Sequence, residues 1–129
     1  MTPAQSEWAR CRAWIESALP YTGGTHNIED IEQAISDGSL IFIPGQNMAV
    51  VLQIVPHPNF KELIVFLGGG EKNGKTVREY REQMDPFLID FARAADCKRV
   101  AHFCREGSTR IGEGLGYRKL CTVMIKDVM

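Results

Sequence analysis

The stretch that decides the fold is Leu63-Ile64-Val65-Phe66-Leu67-Gly68-Gly69-Gly70-Glu71-Lys72-Asn73-Gly74. Its leading apolar run predicts a strand that is buried on both faces. Its glycines predict a turn at which a ligand can approach the backbone closely. Helical spacing then continues to Ala95. A strand that enters a helix through glycines presents backbone N–H groups, and α/β proteins hold phosphates in this way.

The composition predicts one globular domain over residues 1–129, since 44% of the residues are hydrophobic and 24% are charged. A formal net charge of −1 gives no direct signal for binding nucleic acid or an anionic membrane. No apolar run approaches the ~18 residues of a membrane span, and residues 1–7 lack the features of a signal peptide. The four cysteines form no CxxC pair, which favours free thiols in a reducing compartment. We therefore expect a protein that neither spans a membrane nor is secreted through a signal peptide.

The rest of the chain predicts a mixed sheet with helices around it. A first helix capped by Ser6 and a second capped by Asn27 precede strands at 40–43, 48–55 and 63–67. The short turns between these strands require antiparallel pairing. A helical segment that Asp85-Pro86 interrupts then leads to a strand at 99–103, which should lie parallel to the strand at 63–67 by a right-handed crossover. A helix at 108–114 and a last strand at 120–125 complete the order α-α-β-β-β-α-β-α-β.

This order resembles the GNAT acetyltransferase fold, an α+β class with antiparallel N-terminal strands and one parallel β-α-β crossover. The chain also resembles a narrower set, the small phage and prophage GNAT-like proteins related to podophage internal virion proteins. Short motifs spread over nearly the whole chain carry this second resemblance. They are Arg10-Cys11-Arg12-Ala13-Trp14-Ile15-Glu16, Gly24-Thr25-His26, Phe66-Leu67-Gly68-Gly69-Gly70, Phe91-Ala92-Arg93-Ala94, Cys97, Cys104-Arg105-Glu106-Gly107 and Gly116-Tyr117.

The resemblance implies an acyl-CoA site between the two parallel strands. In GNAT enzymes these strands splay apart, and a Gln/Arg-x-x-Gly-x-Gly/Ala loop gives backbone N–H groups to the pyrophosphate. Here the matching loop is rich in glycine without spelling that pattern. Its candidate cofactor-binding residues are Gly68, Gly69, Gly70, Lys72, Gly74, Lys75 and Thr76. The resemblance thus allows acetyl-CoA as a cofactor without establishing one.

Many GNAT enzymes protonate the departing thiolate with a tyrosine in the last helix, a few residues before the Gly–aromatic pair. Counted back from Gly116-Tyr117, that position falls near Gly112, which has no side chain to donate a proton. The remaining catalytic candidates are Tyr117 and Glu106. Because general acid catalysis typically supplies ~10²–10⁴-fold in rate, its loss argues against an efficient transferase.

A rival interpretation starts from the same turn, because residues 69–76 match the Walker A pattern G-x-x-x-x-G-K-T. Lys75 would then reach the terminal phosphates of a nucleotide, and Thr76 would hold magnesium. A P-loop protein needs several parallel strands and an acid at a strand end. Only one crossover can be built here, and the strand at 99–103 is followed by Cys104.

Other clusters of reactive residues give a weaker signal. His102 and Cys104 alternate on one strand, where a nucleophile pair rarely reaches hydrogen-bonding geometry, so core packing is favoured. His26 and His57 fall in separate loops, and we predict no metal site.

Three function classes follow from the sequence. The favoured one is a phage-encoded GNAT-fold protein that is a structural or interaction component of the particle or its assembly, without efficient catalysis. Its partners would be other phage structural proteins or further copies of itself, in the host cytoplasm or the virion. The alternatives are an acyl-CoA-dependent N-acetyltransferase for an unknown amine and a nucleotide-binding P-loop protein.

Overall fold

Four strands form one mixed sheet in the order β1-β2-β3-β4. The computed structural model describes residues 2–104 and 106–129. Strands β1 (Ile41–Pro44), β2 (Met48–Pro56) and β3 (Lys61–Gly70) pair antiparallel through short turns. Strand β4 (Cys97–His102) lies parallel to β3. The predicted fold class, with its antiparallel start and its single parallel crossover, is confirmed.

Two helices cover one face of the sheet. Helix α1 (Pro3–Ala18) begins with a capping box in which Thr2 accepts from the backbone N–H of Gln5, so the predicted Ser6 cap is wrong. Helix α2 (Ile28–Asp37) has the predicted Asn27 cap, and Gly38 ends it with a φ of 86°. The buried residues on this face are Cys11, Ile15, Ala18, Ile28, Ile31, Leu40, Ala49, Val51 and Leu67.

The opposite face carries one unbroken helical stretch made of three parts. Helix α3 (Gly74–Glu79) passes through a π-helical turn (Tyr80–Met84) into helix α4 (Asp85–Ala94). The predicted interruption at Asp85-Pro86 is wrong, because Asp85 itself has helical backbone angles. The proline ring is accommodated because the wider π turn precedes it. The buried residues on this face are Met48, Val50, Leu52, Leu63, Val65, Met84, Leu88, Ala92 and Cys97.

The predicted last strand at 120–125 is absent from the described part of the chain. Helix α5 (Thr109–Gly114) is followed by residues 117–129 without regular secondary structure. Residues 118–129 are all exposed, and Met124 retains 90% of its accessible surface. The apolar pattern that predicted a strand is present, but a strand also needs a pairing edge, and in this single chain none lies against it. None of the helices within 2–104 and 106–129 is long and apolar enough to cross a membrane.

Candidate functional site

The two parallel strands separate at one defined point. Pairing between β3 and β4 runs as far as Val65 and His102, and the next N–H, of Phe103, donates to the carbonyl of Val65 over 3.3 Å. Strand β3 continues to Gly70, whereas β4 ends at His102. The β2–β3 register shifts at the same level, so Phe66 is an extra residue in β3. A bulge of this kind bends its strand. Beyond Val65, strand β3 has no paired strand on the β4 side, and we call the space there the wedge.

Aromatic rings line the wedge on the α1–α2 side of the sheet. The ring centroid of Phe66 lies 5.0 Å from that of His26 and 6.5 Å from that of Phe103, both edge to face. Phe103 is 64% exposed at the mouth. The wedge therefore offers apolar surface on this side.

A cluster of hydroxyl, imidazole and carboxyl groups lies on the α4 side of the wedge. The hydroxyl of Tyr80 is 2.5 Å from Nε2 of His102, and the hydroxyl of Tyr117 donates to Oδ1 of Asp85 over 2.6 Å. The rings of His102 and Tyr117 meet edge to face with centroids 4.8 Å apart. We call these four residues the tyrosine–histidine cluster. It joins β4, the π turn, α4 and the segment after α5.

Burial fixes the protonation states in this cluster. It lowers the pKa of His102 to about 4, against a smaller opposing effect of Asp85, so the imidazole is neutral at pH 7. Burial raises the pKa of Tyr80 and, together with the bond to Asp85, the pKa of Tyr117. Both phenols therefore hold their protons firmly. The proton of Tyr117 is already donated to Asp85, which makes this phenol a poor acid toward a thiolate.

Four backbone donors of the glycine turn are bonded within the protein. The N–H of Glu71 donates to the carbonyl of Asn47 and that of Asn73 to the carbonyl of Glu71, each over 2.9 Å. The N–H of Lys75 donates to the Asn73 side chain over 2.9 Å, and that of Thr76 to the Asn73 carbonyl over 3.3 Å. The Thr76 hydroxyl bonds to the carbonyl of Glu71. In this conformation these groups face protein acceptors, whereas a phosphate cradle needs them to face a ligand.

The glycines at the end of β3 are also in close contact with the protein itself. A Cβ at Gly69 would clash with the backbone carbonyl of Trp14 in α1. A Cβ at Gly70 would lie 2.8 Å from Cβ of Met48 in β2. The absence of side chains thus lets α1 and β2 approach β3 closely.

Glu79 holds the glycine turn against the β1–β2 turn. This side chain is 7% exposed, and its carboxylate accepts from the N–H of Gln46 over 2.7 Å and from the N–H and Nδ2 of Asn47 over 2.8 and 3.0 Å. The same Asn47 gives its carbonyl to Glu71. One buried carboxylate therefore fixes the residue that accepts from the turn.

The structure places the sequence-predicted site residues in two groups. Residues 68–76 are contiguous but belong to three elements: residues 68–70 end β3, residues 71–73 form the turn, and residues 74–76 begin α3. The turn predicted at 68–74 is therefore shorter than expected, and Lys72 and Lys75 are exposed. Tyr117 lies in the tyrosine–histidine cluster, while the side chain of Glu106 falls outside the described part of the chain, as does all of Arg105. His102 bonds Tyr80, whereas Cys104 is exposed. Among the described residues, no group of three His, Cys, Asp or Glu side chains could hold a metal ion.

Tyr80, Asp85 and Glu79 were missed by the sequence analysis. Tyr80 and Asp85 are five positions apart, which places two residues together only when the helix contains a π turn. No sequence pattern used above identifies such a turn. Glu79 could have been suspected as an acid within a helix stretch that faces the sheet.

Comparisons with known proteins place the chain at the level of fold. Comparisons of the sequence with protein families and with curated proteins found no match. Among solved structures, a protein described as a "probable acetyltransferase" superposes with a TM-score of 0.64, 12% identity and 88% coverage of both chains. The tetramutant of the BH1408 protein from Bacillus halodurans superposes with a TM-score of 0.62 and 12% identity, over 81% of this chain and 76% of that one. The chain therefore has a GNAT-like acetyltransferase fold, and identities this low speak for fold alone.

Proposed function

We propose that this protein is a GNAT-fold interaction component that does not catalyse efficient acyl transfer. The observation that carries the proposal is that four backbone donors of the turn, the N–H groups of Glu71, Asn73, Lys75 and Thr76, already have protein acceptors. A pyrophosphate that bound to these four donors would have to replace those bonds one for one. Because bonds would be broken as well as formed, this replacement removes most of the binding free energy that a preorganised anion site provides.

The state of the acid candidate supports the same proposal. Gly112 occupies the position where the resemblance implies a catalytic tyrosine, and Tyr117 donates its proton to Asp85. Loss of a positioned acid removes ~10²–10⁴-fold in rate. The proposed protein therefore lacks a positioned general acid, and four N–H donors of its glycine turn are already bonded. Efficient acyl transfer would need both a general acid and free donors for the pyrophosphate.

The setting we propose for this role is a phage particle or its assembly. This part of the proposal rests on the resemblance to small phage GNAT-like proteins. Its test is quantitative mass spectrometry of gradient-purified particles. The chain should be present at a constant ratio to the major structural proteins, and its complete loss from washed particles would contradict the setting.

Calorimetric titration with acetyl-CoA tests the lack of catalysis. We expect no saturable heat with acetyl-CoA or with ATP·Mg, and no thiol release when amines are added. Saturable acetyl-CoA binding that a Lys72→Glu/Lys75→Glu variant abolishes, with turnover, would establish the acyltransferase class instead. Saturable ATP·Mg binding lost in Lys75→Ala would establish a P-loop site. An Arg93→Glu variant is the control for a charge reversal remote from the turn, since Arg93 lies at the far end of α4.

The acyltransferase remains the second candidate because pairing between β3 and β4 ends at Val65 and His102. This is the place where the resemblance implies an acyl-CoA site. In addition, one similar structure is described as a "probable acetyltransferase". The calorimetric experiment above decides between the two candidates.

A further inference from the structure

We infer that residues 118–129, the C-terminal segment, pair as a strand with the free edge of β4 in a second copy of this chain. This inference deepens the proposed interaction function by naming the partner, and it rests on that proposal. The exchange would be reciprocal, so that each copy gives its C-terminal segment to the other about a two-fold axis.

The C-terminal segment has the composition of a buried strand but lies in solvent. Leu120, Val123, Met124, Ile125 and Val128 are 63%, 82%, 90%, 79% and 87% exposed. In an extended chain, Val123 and Ile125 point to one face while Leu120 and Met124 point to the other. A strand that is apolar on both faces fits a sheet with a layer on each side. Exposed apolar surface of this continuity marks an interaction site.

Strand β4 offers the complementary edge. It pairs with β3 on one side, and its other side is the end of the sheet within the described residues. A cavity of about 190 Å³ lies beside this edge, lined by Ile89, Val100, Leu115, Gly116 and Tyr117. This cavity can take an apolar side chain from an added strand. Unpaired strand edges bind further strands unless something covers them.

Among the described residues, neither the C-terminal segment nor the outer edge of β4 is paired with a strand, which favours a second copy over closure within one chain. The hydroxyl of Tyr117 is fixed to Asp85, and Gly116 turns the backbone with a φ of 95°. From this anchor beside the end of β4, residues 118–129 run exposed along their whole length instead of following their own β4 edge. Each chain thus has a C-terminal segment with the pattern of a strand and a β4 edge that is unpaired among the described residues. Exchange of the segments between two copies pairs both edges.

Hydrogen–deuterium exchange of the full chain over a wide range of protein concentrations, with light scattering on the same samples, tests this inference. We expect exchange at residues 120–125 to slow by at least tenfold as the mass rises from one chain to two. A Val123→Asp/Ile125→Asp variant should lose both changes, while the control Asp127→Asn, in the same segment, should keep them. All three substituted residues are exposed in the single chain, so circular dichroism at concentrations where only single chains are present should be unchanged.

Three results would overturn the inference. Protection that does not depend on concentration would mean that the segment folds back on its own β4. A single-chain mass without protection at every concentration would mean that no strand forms. A dimer that survives Val123→Asp/Ile125→Asp would place the interface elsewhere. Acetyl-CoA turnover measured on the same samples is independent of these readouts. A dimer that turns over acetyl-CoA would support the strand exchange and overturn the proposed lack of catalysis. A monomer without turnover would support the lack of catalysis and overturn the strand exchange.

Discussion

Gly69 lies where helix α1 crosses strand β3, and the contact is backbone to backbone. The carbonyl oxygen of Trp14 occupies the space that a Cβ at Gly69 would need. The glycine was predicted from sequence to let a ligand approach. In the structure, the group that approaches it is part of the protein.

We therefore expect Gly69→Ala to destabilise the protein by about 1–3 kcal/mol, the usual cost of overpacking. Urea unfolding of the purified variants measures this difference. Gly74→Ala is the matched control, because a Cβ there meets nothing within 4 Å, and its effect should stay within about 0.5 kcal/mol. Equal stabilities of the two variants would show that α1 does not press on β3 at this point.

His102 makes stability sensitive to acid. Its pKa is lowered by burial to about 4 in the folded protein, whereas an unfolded chain has the ordinary value of about 6.5. Between these values the unfolded state binds a proton that the folded state does not. Stability should therefore be complete above pH 6.5 and fall as the pH drops toward 4, with a slope of up to ~1.4 kcal/mol per pH unit.

The comparison of wild type with His102→Gln isolates this effect. The variant should lack the part of the slope between pH 6.5 and 4 that His102 causes, as read from urea midpoints at each pH. Glu62 contributes equally in both proteins: burial raises its pKa, but bonds from Arg99 and His57 lower it further. Parallel curves for the two proteins would mean that the imidazole binds its proton at the same pH in the folded protein as in the unfolded chain.

At the scale of elements, Glu79 ties α3 to the β1–β2 turn. Its carboxylate is buried and accepts three N–H bonds from Gln46 and Asn47. We expect Glu79→Ala to cost about 2–3 kcal/mol, because it removes charge-assisted bonds and leaves the amides of the turn unpaired. Chemical unfolding checks the value.

Glu82→Ala is the control for this prediction. Glu82 is 59% exposed and pairs with Arg78 on the helix surface, so its loss should change stability by less than about 0.5 kcal/mol. If Glu79→Ala were as mild as Glu82→Ala, the buried bonds would not be what holds α3 in place.

Elements that depend on local signals could be predicted from the sequence. The strands β1 to β4 and their pairing follow from apolar runs and turn lengths, and the Asn27 cap follows from residue type. Two kinds of feature could not be predicted: a helix start for which two cap residues compete, and a strand that needs an edge to pair with. Thr2 caps α1 in place of Ser6 because a capping box with Gln5 forms one turn earlier. The strand expected at 120–125 has the right pattern, but no edge pairs with it in the single chain.

The candidate site was predicted only in part for the same reason. The wedge follows from the parallel crossover, and Tyr117 follows from the Gly–aromatic turn. The partners of His102 and Tyr117 come from the two ends of a π turn, and the N–H of Glu71 bonds to Asn47, more than twenty residues away. Contacts this distant in sequence arise from the assembled sheet and helices.

At the scale of the whole molecule, the sheet separates two apolar layers, and the wedge opens at the edge where β4 ends. Phe66, His26 and Phe103 lie on one side of it, and the tyrosine–histidine cluster lies on the other side. The proposed role depends on the glycine turn, where four backbone N–H donors already bond to acceptors of the protein itself.

Amide exchange at the glycine turn, followed by NMR on the full chain with and without acetyl-CoA, tests that central claim most directly. We expect slow exchange at Glu71, Asn73, Lys75 and Thr76 in the free protein, and no change in these signals when acetyl-CoA is added. Fast exchange at these four amides in the free protein, with protection and shifted resonances on adding acetyl-CoA, would contradict it.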